Sequence, residues 1–85
     1  MLTKERAIEA IDFVIERRPQ VYIRVVMNEI KEYAQSMECF NIQEFKSFIS
    51  SKQPTKLGGV ENIEISSSLG FLKQLINIKK KTLYE

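Results

Sequence analysis

Apolar residues recur at every third or fourth position through the first part of the chain, and that period predicts helices. In residues 3–18, TKERAIEAIDFVIERR, Ile8, Ile11 and Ile15 form a stripe widened by Ala7, Ala10 and Val14, with Glu5, Glu9, Asp12 and Glu16 opposite. Thr3 suits the N-cap, Glu5 the positive first turn, and Arg17 and Arg18 the negative last turn. Pro19 ends this helix by pushing Arg18 out of helical geometry. In residues 20–37, Ile23, Val26, Met27, Ile30, Tyr33, Ala34 and Met37 keep the same period and predict a second helix. Its opening, VYIRVV, is rich in β-branched residues and would also satisfy a short strand. Residues 40–50, FNIQEFKSFIS, carry a start signal: Asn41 can cap, Glu44 can reach back, and Phe40 can pack on Phe45 across the cap. Phe45, Phe48 and Ile49 then form the buried face.

The pattern changes after residue 50. In residues 51–65, SKQPTKLGGVENIEI, Pro54 and Gly58–Gly59 break regular structure, while Val60, Ile63 and Ile65 suggest a partly extended return segment. Fifteen residues is long for the turn of a helix-turn-helix, where about three or four are expected. Either this loop is an insertion acting through Lys52, Gln53 and Lys56, or the flanking helices are misplaced. A fourth helix is expected from Ser68 to about Ile76, capped by one of Ser66, Ser67 or Ser68 and burying Leu69, Leu72, Leu75 and Ile76. Gly70 inside it costs about 1 kcal/mol relative to alanine and marks a close approach, by a neighbouring helix or by a nucleic-acid backbone. The end, INIKKKTLYE, alternates like a hairpin, with strands at Asn77–Lys79 and Thr82–Tyr84 and Lys79, Lys80 and Lys81 at the bend.

Composition sets bounds on this picture without changing it. Hydrophobic residues make up 44% and charged residues 28% of 85 residues, as in an ordinary single globular domain and unlike a disordered chain. Residues 1–40 hold six Lys/Arg and seven Asp/Glu (−1), and residues 41–85 seven Lys and four Glu (+3), so the net +2 is skewed toward the C-terminal half. The skew favours an anionic partner there. A single cysteine, Cys39, rules out an internal disulfide and predicts a reducing, intracellular, cytoplasmic home. The N-terminus lacks the apolar core of a signal peptide, and no apolar run approaches the roughly 20 residues that span a bilayer.

Catalytic chemistry is thin. There is no histidine to serve as general base or metal ligand, and Cys39 has none to activate it. Cysteine–histidine zinc sites are excluded by count, and no GxGxxG or GxxxxGK[ST] phosphate loop occurs. The expectation is a protein that is not an enzyme, with no cofactor, no metal and no small-molecule ligand.

The C-terminal half resembles a winged helix-turn-helix domain. The likeness rests on FNIQEFKSFIS as positioning helix, SSSLGFLKQLINI as recognition helix and INIKKKTLYE as wing, with Cys39–Phe40 as a short strand pairing with the wing. The expected fold is mainly α with a small β-hairpin: one domain over 1–85, with an extra N-terminal helix in 1–19 and a winged-helix body in 20–85. The resemblance implies a small sequence-specific DNA-binding protein, a transcriptional regulator or a replication or partition factor. Its recognition helix would lie in the major groove of double-stranded DNA. On this chain, Ser67, Ser68, Lys73, Gln74 and Asn77 are the outward polar positions that would face bases. Lys79, Lys80 and Lys81 would hold phosphates, with Lys46 and Lys52 adding backbone contacts. A net charge of +2 is weak for a lone DNA-binding monomer, so a homodimer through Ile8, Ile11 and Ile15 is expected. The alternative is a protein–protein interaction module, a winged helix or a four-helix bundle, without nucleic-acid binding.

Overall fold

The computed structural model describes residues 2–55 and 58–77. Four helices follow one another: α1 Lys4–Arg17, α2 Val21–Ser36, α3 Ile42–Ser51 and α4 Val60–Asn77. α1 and α2 lie antiparallel, tied at one end by the Lys4 ammonium donating to the Met37 carbonyl and midway by Lys31 Nζ on Asp12 Oδ1 at 2.9 Å. α4 covers both, and α3 packs against α2 and α4.

Local signals account for the first three helices. Thr3 Oγ1 accepts the Arg6 amide at 3.2 Å, and the Arg18 amide closes α1 on the Val14 carbonyl. Asn41 Oδ1 accepts the Glu44 amide at 3.0 Å, and the Phe40 and Phe45 rings meet at 5.3 Å, so the cap and the hydrophobic staple both form at α3. The β-branched opening of α2 is helical from Val21 onward, because Ile23, Met27, Ile30 and Ala34 all reach the core.

One core serves the whole bundle. Ala7, Ala10, Ile11 and Val14 of α1 meet Ile23, Met27 and Ile30 of α2, Phe45 and Ile49 of α3, and Leu69, Leu72 and Ile76 of α4. α1 is therefore as much part of the core as any other helix. Tyr33 stacks on Phe48 at 4.0 Å and 3°, extending the α2–α3 contact toward the surface.

Two expectations are corrected. The fold is not a mixed helix-and-hairpin arrangement: among the described residues there is no strand, and Cys39 and Phe40 lie in the turn between α2 and α3. Asn77, expected to open the hairpin, is the last residue of α4, and the rest of the expected wing, 78–85, lies outside the described residues. The second correction concerns where α4 begins. It starts at Val60, eight residues before the expected Ser68, so the connection from α3 is short. Gly58 and Gly59 adopt φ of 95° and 83°, a region open to glycine and strained for other residues, and they turn the chain straight into the helix. The Ile63 amide then bonds to the Gly59 carbonyl at 3.1 Å. Ile65, Leu69, Leu72 and Ile76 follow a helical period along the inner side, which outweighs the strand preference of Val60, Ile63 and Ile65.

Candidate functional site

The outward side of α4 carries Val60, Ile63, Ser67, Gly70, Gln74 and Asn77, all exposed. Their spacing is three, four, three, four, three, the interval that keeps residues on one face of a helix and lets a second helix run along it. The line extends about 27 Å at 1.5 Å per residue. None of the six is charged, in a chain whose residues are 28% charged overall.

Its N-terminal part is apolar: Val60 is 69% and Ile63 62% exposed. The first turn of α2 brings two more apolar side chains to the same end of the bundle, Val21 at 68% and Val25 at 53% exposure. The Tyr22 hydroxyl donates to the Glu64 carboxylate and ties the two helices together there. That bond, helped by burial and by the negative charge of Glu64 and Glu61, pushes the Tyr22 phenol up to about 12. Beside the line, Gln53 and Pro54 face Asn62, Ile63, Ser66 and Ser67 across a shallow groove of about 360 Å³, with the Gln53 amide donating to Ser66 Oγ.

In the middle of the line is Gly70. A Cβ built there meets nothing within 4 Å, so no neighbouring helix of this chain requires the glycine. It leaves bare backbone on an exposed face, where a partner can approach closely.

A basic and aromatic cluster borders the line at Ser67. Arg18 Nη1 lies 3.0 Å from Ser67 Oγ and 3.4 Å from Ser68 Oγ, with its guanidinium 5.2 Å from the Phe71 ring centre. The Arg17 guanidinium sits 4.2 Å over Phe13, and the Phe13 and Phe71 rings are 6.1 Å apart. Among the described residues neither arginine has a carboxylate within 4 Å; the ion pairs are Lys31–Asp12 and Lys52–Glu29.

The expected site residues are dispersed. Ser67, Gln74 and Asn77 stand together on the outer side of α4, with Lys73 half-buried at its edge. Ser68 is fully buried beneath Arg18, so it faces no ligand. Lys46 is half-buried on α3. Lys52 lies 3.1 Å from Glu29 and 4.9 Å from the Phe48 ring centre, turned toward α2. Lys79, Lys80 and Lys81 lie outside the described residues. Of the expected dimer contacts, Ile11 is fully buried in the chain's own core, while Ile8 and Ile15 are half-buried. The 3–4 spacing of uncharged residues from Val60 onward is present in the sequence, where the strand preference of Val60, Ile63 and Ile65 masks it.

Among the described residues, no set of three His, Cys, Asp or Glu side chains could hold a metal ion, and no helix is long and apolar enough to cross a membrane. Compared with known proteins, the chain matches no family model, no curated protein and no solved structure.

Proposed function

We propose that this chain is a helical protein-interaction module that docks another protein along the outer side of α4, in a reducing compartment where its exposed Cys39 stays a free thiol. The carrying observation is the uncharged line Val60, Ile63, Ser67, Gly70, Gln74 and Asn77. Interface centres are depleted in charge, and exposed apolar residues gathered at one end of a small domain mark contact surfaces. Spacing of three and four residues suits a helix as the docked element.

Double-stranded DNA is the second reading, favoured by Gln74 and Asn77 standing together on an exposed helix face, where both can pair with adenine edges. Against it, none of the six outer positions itself supplies a cation, and the two guanidiniums beside Ser67 are few for the phosphate contacts that dominate the affinity of DNA-binding proteins.

The test is a pair of titrations of the ¹⁵N-labelled chain. One uses a neutral three-heptad helical peptide with an apolar seam, the other random duplex DNA at low and physiological salt. The docking reading expects the peptide to shift amides of α4 from Val60 to Asn77 and the DNA to leave them unmoved. Salt-sensitive shifts from DNA with none from the peptide would replace it with the second reading.

A further inference from the structure

We infer that the partner helix is acidic beside its apolar seam, and that Arg17 and Arg18 receive its carboxylates; this rests on the docking reading above. Ser67 belongs both to the uncharged line and to the Arg18 cluster, so any helix lying along α4 passes next to the Arg18 guanidinium. Arg18 spends only Nη1 on the two serines, and a guanidinium has five N–H donors in a planar fork that matches a carboxylate. The ring of Phe71 beneath it, and that of Phe13 beneath Arg17, hold the two groups in place before a partner arrives. Preorganised guanidiniums lose less freedom on pairing than mobile ones.

Dipole compensation at the end of α1 explains a positive charge at these positions. It does not explain why both side chains lie on aromatic rings with no acidic residue within reach among the described residues. Elsewhere on the bundle, two half-buried lysines, Lys31 and Lys52, have the acidic partners Asp12 and Glu29. An apolar stripe for Val60 and Ile63, a small residue opposite Gly70 and carboxylates beside Ser67 therefore define the partner's chemistry.

The test uses two three-heptad helical peptides with the same leucine seam, one flanked by Glu and one by Lys, titrated into the full chain at low and physiological salt. The Glu peptide is expected to bind about tenfold more tightly at low salt. That advantage should shrink at higher salt and vanish in the Arg17→Gln/Arg18→Gln variant. Should the double variant unfold, Arg17→Gln alone, at an exposed position, is expected to lose part of the advantage, and Arg18→Lys, which keeps the charge but not the planar fork, to lose part of it as well. Equal binding of the two peptides on α4 overturns the charge inference and leaves the docking reading standing. Binding of neither overturns the docking reading itself. Self-association of the free chain that Gly70→Glu abolishes makes the partner a second copy and also overturns the inference.

Discussion

Arg18 Nη1 and Ser67 Oγ, 49 residues apart in the chain, lie 3.0 Å from each other and fasten the end of α1 to the outer edge of α4. The same nitrogen covers Ser68, whose side chain is fully buried. Arg18→Ala removes that donor from a buried hydroxyl and is expected to cost about 1–2 kcal/mol in urea denaturation. Combined with Ser68→Ala, the loss should be smaller than the sum of the single losses, because the hydroxyl needing a partner is gone.

Gly70 separates folding from docking. With open space around a Cβ at that position, Gly70→Ala is expected to raise the stability of the free chain by about 0.5–1 kcal/mol, read as a higher melting temperature. The same variant should bind the seam peptide more weakly, because the added methyl holds the partner away from the α4 backbone. A glycine kept at a cost to its own helix is what a docking role predicts.

The Tyr22–Glu64 bond carries a pH signature. The neutral phenol is the form that donates, and its pKa rises from 10.0 to about 12 on folding. The unfolded chain therefore releases this proton first. The contribution to stability is complete below pH 10 and is lost as pH rises toward 12. Denaturant midpoints measured across that window should fall for the wild-type chain, and Tyr22→Phe should remove this part of the fall.

Two substitutions in and around α3 test what fixes it. Asn41→Ala deletes the side-chain cap on the Glu44 amide and is expected to cost about 1 kcal/mol. Phe45→Ala empties a fully buried site where α3 packs against α2 and α4 and should cost about 3–5 kcal/mol, leaving little folded protein at physiological temperature. Thermal melts followed by circular dichroism distinguish the two.

Where a helix end was written into side chains, it was legible. Thr3, Asn41, Pro19 and the Phe40–Phe45 pair each act within a few residues, and each does in the structure what its chemistry predicts. α4 was only half legible. Val60, Ile63 and Ile65 favour strands intrinsically, and the stripe that overrules them, from Ile65 to Ile76, becomes decisive only when the core on α1 and α2 is there to receive it. The strand preference of residues 60–65 also divides the outer line in the sequence, separating Val60 and Ile63 from Gln74 and Asn77. The pairing of Arg18 with Ser67 is a long-range contact that no local pattern announces. Arg17 and Arg18 could be read from the sequence only as charges at a helix end.

Ile63→Glu places a charge in the exposed line of α4 that we propose binds a partner helix. Ile63 is 62% exposed and lies outside the core, so the variant should melt close to the wild-type temperature. Its affinity for the neutral three-heptad peptide should fall by about tenfold or more as a charge enters the seam. Unchanged affinity in a folded variant would mean that the partner helix does not dock on this face of α4.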